Sequence, residues 1–238
     1  MKIAILGYGK MGREIEKTAL ERNHEVVLKI DISNAHELSA NSLGRAEVAI
    51  DFSTPGSAYT NILACFDADI PVVCGTTGWL DKFGEVRELC LQRHQTFFYA
   101  SNFSLGANVF FSLNRYLGRI MENLPAYDVE IKETHHIHKV DAPSGTAITL
   151  ANDLISVLHR KQKWELNQAS DRATIKISSI REGEVPGTHS IVWDSPADRI
   201  EIVHEAKSRK GLALGALLAA EFIRDKKGIY SMEDLIRL

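Results

Sequence analysis

The sequence predicts an α/β fold in two parts: a doubly wound parallel sheet, then an α+β domain with a mixed or antiparallel sheet. Two patterns predict this. Up to about residue 104, short and nearly continuous apolar runs alternate with helical segments, the pattern of parallel strands covered on both faces. Beyond it come long helices and three consecutive strand-like runs with no helix between them, which calls for a different sheet. A glycine-rich turn directly behind the first strand makes the first part Rossmann-type.

The elements follow in order. "KIAIL" is a strand, "GYGKMG" breaks it, and "REIEKTALERN" has helical spacing. "HEVVLKI" and "EVAIDF" are strands, and Thr54-Pro55 opens a helix, since proline is tolerated in a first turn. "IPVVCG" is a strand, "LDKFGEVRELCLQRH" a helix and "TFFYAS" a strand. The spacing then predicts one helix from Leu105 to Leu124, a strand in "YDVEIKETHH" and a helix in "SGTAITLANDLISVLHRK". "ATIKISSIREG", "HSIVWDS" and "RIEIVHEA" are the three consecutive strands. "GLALGALLAAEFIRD" is a strongly apolar helix, and "YSMEDLIRL" a short one with Ser231 as its N-cap. With no linker rich in Gly, Pro or Ser, tight hinges are expected near Ser104 and near Ser208 to Lys210. The expected domains are 1–104 with a return segment 211–238, and 105–210.

The composition excludes several classes. The chain has 238 residues, 45% of them hydrophobic, enough for one large core or two modest ones. A net charge of −3 gives no basic field of the kind that holds nucleic acid. No apolar stretch reaches membrane-spanning length, and "MKIAIL" lacks the apolar run of a signal peptide. Cys65, Cys74 and Cys90 form no CxxC pair and read as buried thiols in a reducing, cytoplasmic setting.

"KIAILGYGKMG" sets Gly7, Gly9 and Gly12 as GxGxxG between a strand and a helix, with Tyr8, Lys10 and Met11 in the same loop. The first glycine permits the turn, the second lets backbone approach a pyrophosphate, and the third lets helix and strand pack. The helix N-terminus offers N–H groups to the phosphates. Asp31, at the end of the second strand and near the usual spacing of ~20 residues, is placed to accept from the ribose hydroxyls. The competing reading is a glycine-rich turn with a solvated aspartate. A carboxylate repels a 2′-phosphate, and Ile32, Ser33 and Asn34 supply no arginine, so NADH is favoured over NADPH. Gly75, Thr76 and Thr77, then Ala100, Ser101, Asn102 and Phe103, follow the fourth and fifth strands. Ligands bind at such strand ends, although both stretches also read as ordinary strand-to-helix loops.

"KETHHIHKVDAPSGTA" concentrates titratable nitrogen ahead of a Ser-Gly-Thr turn. His136 and His138 share a strand face and could chelate, but further ligands at zinc spacing are missing, so no metal is expected. Ser144 is a natural N-cap, and the N–H groups of Gly145 and Thr146 then point at an anion, with Lys139 and the histidines adding positive charge. Histidine also delivers protons near neutral pH. A small carboxylate that is protonated as it reacts suits this stretch; a capped helix behind a polar loop is the plainer alternative.

"ETHHIHKVDAPSGTA" resembles the signature of the 4-hydroxy-tetrahydrodipicolinate reductase (dihydrodipicolinate reductase) family. "GYGKMGREI", "DFSTP", "CGTTGW", "SNFSLGANVF" and "SIREGEVPGTH" stand in the family's order, so the resemblance covers nearly the whole chain. It implies reduction of a cyclic dicarboxylate with NADH or NADPH and loss of water, in the diaminopimelate route to lysine. It implies His135 as proton donor/acceptor, Lys139 as a second proton donor, and His136, Ser144, Gly145 and Thr146 as substrate holders. The cofactor falls to residues 7–12, Asp31, 75–77 and 100–103. It further implies a homotetramer built through sheets of the second domain and a C-terminal helix that returns to the nucleotide domain. For His135 and His136 both to face a substrate the strand must end or twist, so irregular backbone is expected at 136–138.

The chain departs from the family in its shorter GxGxxG loop and in the brief stretch between Asp31 and the third strand. Two rivals remain. Another two-domain reductase of small carboxylates would keep the glycines and Asp31 without needing the histidine stretch. A non-catalytic dinucleotide sensor would have no reason to keep His135 and Lys139.

Overall fold

The computed structural model describes residues 1–237. In chain order the elements are β1 (Lys2–Leu6), α1 (Lys10–Glu21), β2 (Glu25–Ile30), α2 (Ala40–Leu43), β3 (Val48–Asp51), α3 (Pro55–Asp67), β4 (Val72–Cys74), α4 (Phe83–Gln92) and β5 (Thr96–Tyr99). Then come α5 (Leu105–Met121), β6 (Asp128–His135), α6 (Gly145–Val157), β7 (Lys163–Leu166), β8 (Thr174–Arg181), β9 (Thr188–Asp194), β10 (Arg199–Glu205), α7 (Lys210–Ile223), β11 (Gly228–Tyr230) and α8 (Met232–Ile236). The chain divides into two units, Met1–Asn108 with Arg209–Leu238, and Val109–Ser208.

The first unit is built on a six-stranded parallel sheet in the order β11-β5-β4-β3-β1-β2. Period-two alternation sends Ile3, Ile5, Val48, Ile50, Val73 and Phe98 to one face, against Ile15 and Ala19 of α1 and Ala216, Leu217 and Ala220 of α7. The intervening Ala4, Leu6, Ala49, Val72, Cys74 and Phe97 meet Ala58 and Ile62 of α3 and Val86 and Cys90 of α4. Each strand is therefore apolar on both sides, as the uninterrupted runs in the sequence require. Burial raises the thiol pKa at Cys65, Cys74 and Cys90, the last to about 11, and all three are free. No described helix is long and apolar enough to cross a membrane.

The second unit carries a five-stranded mixed sheet, β10-β9-β6-β8-β7. β6 pairs parallel with β8 and antiparallel with β9. Val129, Ile131, Glu133 and His135 of β6 share one buried parity. α6 packs beside α5, where Asn114 Nδ2 donates to the Leu150 carbonyl at 2.9 Å. A Cβ on Gly118 would lie 2.8 Å from Val157, so glycine sets that close approach.

Several details differ from the sequence reading. α5 stops at Met121 rather than Leu124, α6 at Val157 rather than Lys161, and α2, β7 and β11 are additional elements. β11 is three residues long, and its partner β5 lies far away in sequence, so no local pattern announces it. The 136–138 backbone is irregular as expected: β6 ends at His135, and a turn follows at 137–138.

Candidate active site

Parallel registry aligns the ends of five strands in the first unit. Ile30 pairs with Leu6, Leu6 with Asp51, Asp51 with Cys74, and Cys74 with Tyr99. The next residues, Asp31, Gly7, Phe52, Gly75 and Ala100, therefore begin loops along one carboxyl edge, where open parallel sheets bind ligands.

Gly7 has φ +91°, and a Cβ there would lie 2.3 Å from the Phe52 carbonyl oxygen. Its N–H and that of Tyr8 donate to the Ile30 carbonyl at 2.9 and 3.1 Å, which pins the loop to the end of β2. A Cβ on Gly12 would lie 2.4 Å from the Gly7 carbonyl oxygen. Gly9 has open space around its Cβ direction, and α1 starts there with no side-chain cap and no acid in its first turn. This is a cradle that fits a dinucleotide pyrophosphate. Lys10 is exposed and Met11 half-buried. Tyr8 donates its phenol proton to Glu16, which also pairs with Lys29 at 2.6 Å. The exposed Asp31 side chain accepts from the Ile32 N–H at 2.8 Å through Oδ1, while the Asp31 backbone N–H donates to Asn34 Oδ1 at 2.7 Å.

The loops after β4 and β5 meet the edge unevenly. Thr76 is buried: its hydroxyl donates to Asp51 at 2.5 Å and accepts from the Ser53 N–H at 2.9 Å. Phe103 is buried beside Phe52 and Phe98. Thr76 and Phe103 thus have main chain, not side chain, to offer a ligand, whereas Thr77 and Ser101 are exposed. Asn102 Oδ1 accepts from the Ser104 N–H at 2.9 Å. Asp51 escaped sequence reasoning. Its fully buried carboxylate also accepts from Asn61 at 2.7 Å and Ser53 Oγ at 2.9 Å. Burial raises its pKa, against the hydrogen bonds from Thr76, Asn61 and Ser53. A Cβ on Gly75 would strike the Phe52 ring at 2.2 Å.

In the second unit His135 closes β6, buried, with a Cβ on Gly187 only 3.0 Å from its Nε2. Burial lowers its pKa; Lys139 and Arg181 push the same way, and Glu133 opposes them. His135 Nδ1 stands 3.5 Å from Glu133 Oε2. His136 is half-buried and donates its N–H to the Val185 carbonyl at 2.8 Å. His138 turns outward to Glu184 at 3.1 Å. Lys139 Nζ is held by both oxygens of Asp141 at 2.8 Å.

Ser144 caps α6 through the Ala147 N–H at 3.2 Å, as its position predicts, and its Oγ also meets His189 Nε2 at 3.0 Å. Its hydroxyl is thus spent inside the fold. Gly145 is exposed with open space around its Cβ direction, and Thr146 is half-exposed, so the helix start is accessible. Glu133 is buried and accepts from the Ser144 N–H at 3.0 Å, from the Ser179 hydroxyl and from Arg181 Nη2 at 3.2 Å. Burial raises its carboxyl, but the bonds from Ser144 and Ser179 and the nearby His135 outweigh this, and its pKa is lowered. Among the described residues, Glu133, His135 and His189 form one group with metal-ligand spacing, their ligand atoms within 4.8 Å of one another.

Residues 1–103 match the family model "Dihydrodipicolinate reductase, N-terminus", and residues 106–236 match "Dihydrodipicolinate reductase, C-terminus". The chain belongs to the dihydrodipicolinate reductase family. A 4-hydroxy-tetrahydrodipicolinate reductase from Christiangramia forsetii is 50% identical over 238 residues, covering 99% of this chain and 98% of the relative. One from Neisseria gonorrhoeae (strain NCCP11945) is 31% identical over 271 residues, covering 100% and 98%. The solved structure of dipicolinate-bound dihydrodipicolinate reductase from Paenisporosarcina sp. TG-14 superposes with a TM-score of 0.80 at 24% identity, covering 98% of each chain. It shares the fold of a parallel nucleotide sheet and a second mixed sheet.

Within this dihydrodipicolinate reductase fold, sequence reasoning missed Asp51, Glu133, Arg181 and His189. Glu133 carried a signal: a carboxylate at the same strand parity as Val129 and Ile131. Asp51 carried a weaker one, as the last residue of a wholly apolar strand.

Proposed function

We infer that this protein is an NAD(P)H-dependent 4-hydroxy-tetrahydrodipicolinate reductase of the diaminopimelate route to lysine. The observation that carries the reading is the gathering, within one unit, of a buried imidazole and an accessible helix N-terminus beside Glu133, and of a lysine whose loop Arg181 links to the same carboxylate. The full-length relatives support it. Gly7, Tyr8, Gly9, Lys10, Met11, Gly12, Asp31, residues 75–77 and residues 100–103 would hold the nicotinamide cofactor, which when bound supplies a hydride to the substrate ring.

The chain's own residues do the rest. The N–H groups of Gly145 and Thr146, with His136, hold a substrate carboxylate. An arriving dicarboxylate carries negative charge, which favours the protonated imidazole and offsets the burial of His135. His135 then stabilises the charge that develops on the ring by giving up a proton. Lys139 exchanges Asp141 for the substrate and serves as the second donor as water leaves. Ser144 acts by fixing the helix start.

Finer features belong to the same reading. NADH is preferred on this reading, because the exposed Asp31 carboxylate at the end of β2 repels a 2′-phosphate and Lys29 is engaged by Glu16. The reaction runs without a metal ion: the Arg181 guanidinium, 3.2 Å from Glu133, opposes a cation among Glu133, His135 and His189. The buried free thiols support a cytoplasmic setting. A homotetramer is supported by β10, an edge strand that leaves Ile200 and Val203 exposed. The test is NADH and NADPH consumption with substrate generated in the cuvette. Cofactor oxidation that depends on that substrate supports the reading. Cofactor binding without turnover leaves only the nucleotide half.

A further inference from the structure

Glu133 sits where three separate parts of the second unit converge. Its Oε2 accepts from the backbone N–H of Ser144, the residue that starts α6, at 3.0 Å, and faces His135 Nδ1 at 3.5 Å. Its Oε1 accepts from Ser179 and from Arg181 Nη2 at 3.2 Å. Arg181 in turn donates to the carbonyls of Lys139 at 3.3 Å and Asp141 at 2.6 Å. The buried His135 Nδ1 has no hydrogen-bond partner, and this carboxylate stands 3.5 Å from it.

We propose that Glu133 is the positioning residue of the reaction, one buried carboxylate that sets the His135 ring, the start of α6 and, through Arg181, the loop bearing Lys139. The proposal rests on the reading of His135 as the proton donor. Facing Nδ1, the carboxylate favours the Nδ1–H form of the neutral ring and the doubly protonated form of the charged one. Either way it leaves Nε2, on the Gly187 side, as the nitrogen that meets substrate. The charges that face His135 are Glu133 on β6, Lys139 and Asp141 on the loop, Arg181 on β8 and His189 on β9. Glu133 holds the proton on the ring, and Arg181 pushes it off.

The two partners therefore have opposite signatures. Glu133→Gln removes a negative charge, so the basic limb of the kcat/KM pH profile moves to lower pH, and kcat at pH 7.5 falls at least about tenfold. Arg181→Gln removes a positive charge, so the same limb moves to higher pH, and the substrate KM rises as the Lys139 loop loosens. Glu133→Asp, which keeps the charge, restores the limb toward wild type. Near-UV circular dichroism, to which the buried Trp193 of the same unit contributes, is measured throughout as a readout of folding. Limbs that stay in place, or move the same way in both Gln variants, overturn the proposal. If Glu133→Gln does not fold, an unmoved limb in Arg181→Gln overturns it alone. His135→Gln separates the two levels: wild-type kcat in that variant removes the proton-donor reading itself. Loss of kcat there with unmoved limbs elsewhere removes only Glu133.

Discussion

Ser144 Oγ lies 3.0 Å from His189 Nε2, and both side chains are buried. One hydroxyl thus caps α6 and satisfies an imidazole on β9 at once. Ser144→Ala removes the cap and leaves His189 Nε2 without that partner. The expected cost is about 1–3 kcal/mol, read by urea denaturation. Ser144→Thr, which keeps the hydroxyl, is expected to lose less.

His189 also fixes a pH dependence of stability. Burial and the neighbouring His135 lower its pKa to about 4, against about 6.5 in an unfolded chain. The unfolded chain then binds a proton that the fold does not. Stability is full above pH about 6.5 and is lost as pH falls toward 4, by up to about 3 kcal/mol. His135, lowered for the same reason, acts in the same direction. Thermal melts between pH 7.5 and 4.5 check this, and His189→Gln is expected to flatten the decline.

Gly215 of α7 lies directly against the loop after β5: a Cβ there would sit 1.7 Å from the Phe103 carbonyl oxygen. Backbone cannot yield cheaply, so Gly215→Ala is expected to cost about 1–3 kcal/mol. Cofactor affinity is expected to weaken with it, since 100–103 must shift. Denaturation and NADH fluorescence titration check the two effects together.

Asp51 links the loops after β3 and β4 through Ser53 and Thr76. Asp51→Asn sets an amide donor where Asn61, Thr76 and Ser53 all donate, at an expected cost of about 1–3 kcal/mol. Trp79 reports on the same place, because its buried indole N–H donates to the Thr76 carbonyl at 2.8 Å. A red shift of tryptophan emission and a raised NADH Kd are the expected outcomes.

The parts legible in the sequence are those whose physics is local. GxGxxG needs only its flanking strand and helix, and the structure gives Gly7 its positive φ and Gly12 its contact. Ser144 caps the helix that its spacing announces. The parts that escaped depend on partners distant in sequence. β11 is defined by β5, and the roles of Asp51, Glu133 and His189 by loops and strands that arrive from elsewhere. A polar residue on a buried strand parity signals such a partner without saying which one. Lys139 is the converse case: the sequence reads it as positive charge for an anion, and the fold also pairs it with Asp141.

The most direct test of the site is a comparison of wild type with His135→Gln and Lys139→Ala, measuring kcat with freshly made 4-hydroxy-tetrahydrodipicolinate and, separately, the Kd for NADH. The expected result is a kcat lowered by about 10²-fold or more in each variant, with the NADH Kd unchanged, since both residues lie outside the nucleotide-binding unit. A wild-type kcat in either variant would contradict the role given to that residue, and a wild-type kcat in both would remove the histidine stretch from the chemistry.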